Sequence, residues 1–206
     1  MTEVTIEAVS KHKMRVSLDG EPAFTVSDRK LRETNLTDGQ LLDDQQTQAL
    51  IEEAAHMACK AALDLLLSRD YGELELIRKL EMKGFSSLLS QRAAAYAASC
   101  HYLDDERYIR NLIEQSRGRK SRQALQSKMQ LKGLDENLIR EAFEAAGWDD
   151  GEGLLRELHI RLKGKAPEDL PDTEKTRLIQ ACLRKGYRYQ DVRRALSDYN
   201  KHSECP

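Results

Sequence analysis

Lys83-Gly84-Phe85, Lys132-Gly133-Leu134 and Lys185-Gly186-Tyr187 are three copies of one phrase, Lys-Gly-apolar, each closing a helical pattern. The glycines stand 49 and 53 residues apart, a period that suits a unit of two or three short helices. The surroundings repeat with them. Four positions before each glycine lies Leu80, Met129 or Cys182, eight before it Leu76, Leu125 or Leu178, and nine after it Ala93, Ala142 or Ala195. One helix face therefore recurs three times, and the helix that follows returns a small residue at the same place.

A helix that ends in the left-handed conformation favours a residue without a Cβ just past its end, and a lysine before it suits the negative end of the helix dipole. In such a cap the residue after the glycine packs on the residue four before it. That pairs Phe85 with Leu80, Leu134 with Met129 and Tyr187 with Cys182.

Working outward, residues 1 to 26 alternate weakly through Val4, Ile6, Val16, Leu18 and Phe24, and Asp19-Gly20 between two β-prone runs predicts a hairpin in a small sheet. Ser27-Asp28 offers a cap for a short helix through Thr34, and Leu36-Thr37-Asp38-Gly39 reads as a turn before Leu41-Leu42. From about Asp43 the pattern is helical to the end. Ala58, Ala61, Ala62, Leu65 and Leu66 form the buried face of a long first helix, followed by helices over Leu74 to Lys83 and Ser87 to Ser99. The second trio holds Tyr108, Ile109, Leu112 and Ile113, then Leu125 and Met129, then a helix over Leu138 to Ala146 capped by Asp135. The third begins near Asp149 with Leu154, Leu155, Leu158 and Leu162, and Lys163 to Pro171 is its long loop. Residues 200 to 206 are expected to fray. The fold expected is mainly α, with tandem three-helix repeats in an elongated arrangement and a small N-terminal β-hairpin segment. The boundaries read as an extension over 1–50 (hairpin plus short helix), repeat 1 over 51–103, repeat 2 over 104–148 and repeat 3 over 149–206.

The 206 residues are 40% hydrophobic, 5% aromatic and 33% charged, which fits a Leu/Ala core under broad solvated faces. A net charge of −2 hides a gradient: residues 1 to 50 carry 6 Lys/Arg against 9 Asp/Glu, residues 151 to 206 carry 12 against 9. That permits an anionic partner without marking a general nucleic-acid binder. Cys59, Cys100, Cys182 and Cys205 form no Cys-x-x-Cys arrangement and read as reduced thiols. There is no long apolar stretch and no secretion signal, so the cytoplasm is the expected location, with no membrane contact.

No catalytic constellation emerges. The five histidines lack metal-ligand spacing, and neither a Gly-x-Ser-x-Gly nor a phosphate-loop pattern occurs. An enzyme, a metal or a cofactor is not expected. Asp104-Asp105 and Asp149-Asp150 stand where new helices begin, as caps. The sharpest signal is Arg117-Gly118-Arg119-Lys120-Ser121-Arg122, continuing into Lys128 and Lys132. Four positive charges within six residues at a helix start repel each other and oppose its dipole, a cost that an anionic surface would offset. A second basic set, Arg184, Lys185, Arg188, Arg193 and Arg194, lies beside Tyr187 and Tyr189 on the closing helices.

Ala62-Leu63-Asp64-Leu65-Leu66-Leu67-Ser68-Arg69-Asp70-Tyr71, Glu75-Leu76 and Lys79-Leu80 leading into Lys83-Gly84-Phe85 resemble the RecX family of RecA regulators. Tyr102-Leu103-Asp104-Asp105-Glu106-Arg107-Tyr108 looks like that family's join between its first two repeats, and Leu125, Lys128 and Lys132-Gly133-Leu134 resemble its second. The likeness covers roughly residues 55 to 150, while repeat three is weaker and the first 50 residues resemble only the extension of longer members. Gly72 stands where the family usually has Ser or Thr, so one side-chain helix cap is missing. The resemblance implies a non-enzymatic, monomeric protein of recombination and the SOS response. Such a protein binds in the groove of the RecA filament on single-stranded DNA and dampens ATP hydrolysis, strand exchange and co-protease action. RecA and the DNA within its filament would be the partners, with weak contact to free DNA. The alternative is a stand-alone DNA-binding helical regulator, against which the nearly neutral charge counts.

Overall fold

The structure, a computed structural model, describes residues 1–202. Its N-terminal part is a sheet of β1 (Thr2–Ser10), β2 (Lys13–Leu18), β3 (Glu21–Ser27) and β4 (Leu41–Leu42), antiparallel in the order β3-β2-β1-β4. Asp19 and Gly20 hold φ of 49° and 82°, the left-handed pair that a two-residue hairpin turn requires. The sheet is larger than one hairpin because β1 also pairs with β2 around Lys11-His12, with a register shift between Ala8 and Ser10. Thr2 and Glu3 then zip to Leu42 and Leu41. Asp38 and Asp19 accept the β1 amides of Ile6 and Glu3, both at 2.8 Å. Between β3 and β4 lies α1 (Asp28–Thr34), capped by Ser27 as expected.

Val4, Val16, Phe24, Val26 and Leu42 put one face of the sheet into a core shared with α2 (Asp44–Ser68), α3 (Glu73–Met82) and α4 (Ser87–Ser99). A capping box of Asp43 and Gln46 starts α2. Ala54, Ala55, Ala58 and Ala62 on α2 and Ala93, Ala94 and Ala97 on α4 are all buried, and such small side chains let two helix backbones approach closely. Residues Met1–Asp105 form one compact unit and Glu106–Pro206 a second.

In the second unit, α5 (Asp105–Ser116), α6 (Arg122–Lys132) and α7 (Glu136–Ala145) enclose Tyr108, Ile109, Ile113, Leu125, Met129, Ile139 and Phe143. Another cluster, Leu154, Leu158, Leu162, Leu178, Cys182, Tyr187 and Val192, is enclosed by α8 (Gly151–Leu162), α9 (Asp172–Arg184) and α10 (Tyr189–His202). The 163–171 loop contains a 3-10 turn at Pro167–Asp169. Helix α10 runs to His202, and its Val192, Ala195, Leu196 and Tyr199 carry an apolar face onto that cluster. Residues 203–206, Cys205 among them, lie outside the described residues.

The three Lys-Gly-apolar phrases end α3, α6 and α9 identically. The glycine amides donate to Glu81, Gln130 and Leu183 carbonyls at 2.8, 2.8 and 2.9 Å, and those of Phe85, Leu134 and Tyr187 reach Leu80, Met129 and Cys182, each at 3.2 Å. This is the double bond of a Schellman cap, and φ is 99°, 84° and 86° at Gly84, Gly133 and Gly186. The same closure ends α4 at His101-Tyr102 and α7 at Gly147-Trp148. Some caps are also points of close approach. The Thr25 side chain lies where a Cβ on Gly84 would stand, and Ser121 Oγ would be 2.6 Å from one on Gly186, whereas Gly147 faces open space.

Gly147→Ala should therefore cost about 1 kcal/mol, backbone strain alone, while Gly84→Ala and Gly186→Ala cost roughly 2 kcal/mol or more because a packed neighbour must also move. Urea denaturation of the three variants checks this, and equal losses would show that the close approaches contribute nothing.

Candidate interaction surface

The basic segment 117–122 is a short connection wound around buried residues. After α5 the amides of Arg119 and Lys120 return to the Ser116 carbonyl at 3.0 and 3.2 Å. Gly118 takes φ 64°, and a Cβ there would strike the Glu152 carboxylate. Ser121, 1% exposed, caps α6 by accepting the Ala124 amide at 3.2 Å while its hydroxyl donates to the Lys185 carbonyl at 2.6 Å. The start of α6 is thereby tied to the cap of α9.

The second aspartate of each pair caps a helix other than its own. Asp105 accepts the amide of Glu73, first residue of α3, at 2.9 Å. That supplies from 32 residues away the acceptor that Gly72 lacks. Asp150 does the same for α6, accepting the Arg122 amide at 2.7 Å and the Trp148 indole N–H at 2.8 Å. Asp149 serves its own helix, accepting the Gly151 amide at 3.1 Å. The sequence placed these carboxylates at helix starts correctly, but their targets depend on tertiary packing.

The predicted cations divide into two groups. Arg117 donates to the Ala146 carbonyl at 2.8 Å and lies over Trp148, closing the end of α7. Arg122 stacks over Phe143 with its guanidinium carbon 5.0 Å from the ring centre, and Lys132 lies over Tyr108 at 5.4 Å. Lys185 pairs at 2.6 Å with Glu157, which also accepts from Arg161. Burial alone would raise the Glu157 carboxyl, but Lys185 and Arg161 outweigh it and hold it below the ordinary range. Arg193 lies over Tyr189 at 5.9 Å, and Lys128 is exposed with an interaction of its own. The side chains of exposed Arg119, Arg184, Arg188 and Arg194 and of half-buried Lys120 make no hydrogen bond or ion pair among the described residues.

Arg122, Arg188 and Arg194 share a cleft of about 820 Å³ with Trp148, Leu155 and Ala195, between the start of α6 and α10. Sequence reasoning treated the two basic sets separately and did not foresee this cleft. The one available signal was the shared phrase around Gly186, whose cap touches Ser121 and the Ala124 amide. Among the described residues no group of three His, Cys, Asp or Glu side chains is placed to hold a metal, and no helix is long and apolar enough to cross a membrane.

With this geometry in place, likeness to known proteins is informative. A regulatory protein RecX from Vibrio vulnificus is 30% identical over 145 residues, spanning 69% of this chain and 93% of that protein. The chain belongs to the RecX family. The model of the RecX second three-helix domain matches residues 104–142, which carry α5, α6 and most of α7. RecX of Clostridium tetani is 22% identical over 200 residues, 96% of this chain and 93% of its own. A crystal structure of regulatory protein RecX superimposes with a TM-score of 0.62 at 20% identity, covering 96% of this chain and 100% of that one. RecX from Lactobacillus salivarius gives 0.58 at 14% identity, covering 71% and 96%. These structures share the overall fold of this chain, which is mainly helical with a small N-terminal antiparallel sheet, and the chain is a member of a family of regulatory proteins.

Asp150→Ala should destabilise by about 1–3 kcal/mol, since it strands two donors, and should shift Trp148 emission as the indole loses its acceptor. An unchanged unfolding midpoint would show the cap to be idle. Tyr187 gives a pH test: burial, with Asp150, Glu157 and Cys182 nearby, pushes its phenol up to about 12. The folded state thus favours the neutral ring, so this contribution is whole below pH about 10 and is lost as pH rises toward about 12. Tyr187→Phe should remove roughly 1–2 kcal/mol of the alkaline loss of stability measured by urea titration between those pH values.

Proposed function

We propose that this RecX-family chain binds the RecA nucleoprotein filament along its groove and modulates RecA, chiefly by inhibiting ATP hydrolysis, strand exchange and co-protease action. It does so by binding, in the cytoplasm, without chemistry of its own. The observation that supports this beyond family membership is the set of cations that the fold leaves unspent: Arg119 and Lys120 on the α5–α6 connection, with Arg184 on α9, Arg188 just before α10 and Arg194 on α10. An ion that already pairs internally gains little from a partner, whereas these can meet acidic RecA surface or DNA phosphate at no internal loss.

The helix trios 51–103, 104–148 and 149–206 are the proposed modules, engaging neighbouring subunits so that several weak contacts act together. A ligand that binds one filament state more tightly than another slows departure from it, and slowed subunit change means slowed nucleotide turnover. Arg117, Arg122, Lys132, Lys185 and Arg193 serve mainly to hold the surface in shape, with Lys128 beside them on α6.

RecA ATPase on single-stranded DNA, titrated with this protein, should fall at fewer copies than RecA subunits. The Arg119→Glu/Lys120→Glu double variant should need roughly tenfold more protein for half-inhibition, with a loss that shrinks as salt is raised. Unaltered inhibition by a folded double variant removes this connection from the mechanism. Tight, sequence-dependent gel shifts of DNA without RecA would favour the stand-alone DNA-binding alternative instead.

A further inference from the structure

We propose that Cys59 on α2 and Cys100 at the end of α4 form an oxidation site, which a hydroperoxide closes into a reversible disulfide between the two helices. Both are free, part-buried thiols, and one ion pair fixes where they stand. Arg92 on α4 clamps Glu52 on α2 through both ends of its guanidinium, at 2.9 and 2.6 Å. Cys59 lies seven residues beyond Glu52 and Cys100 eight beyond Arg92. At about 1.5 Å per residue each thiol is therefore about 10–12 Å, or roughly two turns, past the clamp on the same helix face. Cys100 still belongs to that ladder, since its amide donates to the Tyr96 carbonyl at 3.1 Å. The helices run parallel here: Cys59 interacts electrostatically with Arg92 and with Cys100, whereas an antiparallel pair would part the thiols by about 20 Å along the axes. The alanines buried on α2 and α4 let such axes approach to about 8 Å, which brings facing turns toward the Cα separation of about 4.4–6.8 Å that a disulfide spans.

The two thiols are not equivalent. Burial pushes the Cys59 thiol up, with Cys100 adding to the rise and Arg92 opposing it, which keeps Cys59 protonated and slow to attack. The Cys100 sulfur lies 4.0 Å from Ser99 Oγ and is hydrogen-bonded by half-exposed Tyr96, whose phenol that bond holds above its ordinary range. A phenol donating to sulfur favours the thiolate, so Cys100 attacks first. Its sulfur bonds to one peroxide oxygen, the O–O bond breaks, and the departing oxygen takes the proton that Cys100 gave up, leaving a sulfenic acid and an alcohol or water. Cys59 then bonds to that sulfur, the S–O bond breaks, and the hydroxide leaves as water with the Cys59 proton. The two thiols lose two electrons and the hydroperoxide gains them. The new bond ties the first helix of the trio 51–103 to its third and encloses α3 in the loop. Cys182, fully buried in the other unit, is out of an oxidant's reach.

The full chain is treated with hydrogen peroxide, its remaining thiols are alkylated, and the digest is mapped by mass spectrometry, with Cys59→Ser and Cys100→Ser in parallel. The expected product is a single chain in which the Cys59 and Cys100 peptides are joined and come apart with dithiothreitol, while Cys182 is alkylated only after denaturation. The oxidised protein should melt at least about 5 °C above the same sample after reduction, a comparison that methionine oxidation does not disturb because dithiothreitol leaves it in place. Neither variant, oxidised alike, should show this difference, and in Cys59→Ser the sulfenic acid at Cys100 should be trapped by dimedone. A link through Cys205, disulfides between two chains, oxidation of single thiols without joining, or absence of the dimedone adduct each overturns the proposal. RecA is absent and every basic residue is untouched, so failure here leaves the filament reading standing, and loss of that reading leaves this result intact.

Discussion

The termination of short helices is the constraint on which the rest of the structure depends. From Asp44 to His202 the chain runs through nine helices, eight of them between 10 and 14 residues long. Each end leaves about four backbone groups without a partner, so in helices this short much of the polar backbone is at stake. At the C-terminal ends of α3, α6 and α9 a left-handed glycine folds the next amides back onto the orphan carbonyls. At the N-terminal ends of α3 and α6 a carboxylate from the start of the following trio completes what the local sequence leaves open. These caps are also places of packing. The residue after the α3 cap, Ser86, donates its amide to Ala23 of β3 at 2.8 Å, and the α9 cap seats Gly186 against Ser121.

This explains why the repeat was legible before any coordinates. A left-handed residue in close contact leaves almost no choice but glycine, so the position is written plainly in the sequence, and the buried Leu76, Leu80, Leu125, Met129, Leu178 and Cys182 follow at helical spacing. The closure at His101 was illegible by the same logic, because a non-glycine at φ 60° carries no mark. Strand β4 was hidden because two residues show no periodicity and their partners, Thr2 and Glu3, lie some forty positions away. The Lys11-His12 connection lacks the Asn or Gly that identifies Asp19-Gly20.

Charge was less legible than shape. Arg117 and Arg119 are two residues apart and equivalent on paper, yet the left-handed Gly118 between them turns one toward the end of α7 and leaves the other in solvent. Lys185 reads as a surface lysine and is instead half of a pair with Glu157, a residue only 8% exposed. Whether a cation is spent inside a fold or available to a partner depends on which carbonyl or carboxylate tertiary packing brings within 3 Å, and local spacing does not encode that.

The capping bonds and the proposed surface are therefore one system. Ser121 binds the Lys185 carbonyl, Asp150 binds the first amide of α6, and Gly118 lets the basic connection rest beside Glu152 on α8. Together these hold the chain around Arg119, Lys120 and Arg188 on a frame of part-buried hydrogen bonds. A surface so fixed loses little conformational freedom when a partner arrives, so more of each ionic contact appears as affinity. On the proposed function, a substitution at Asp150 or Gly186, far less conspicuous than an arginine, is expected to weaken binding by loosening the frame. The loss then comes from order in the free protein, with every contacting side chain still present.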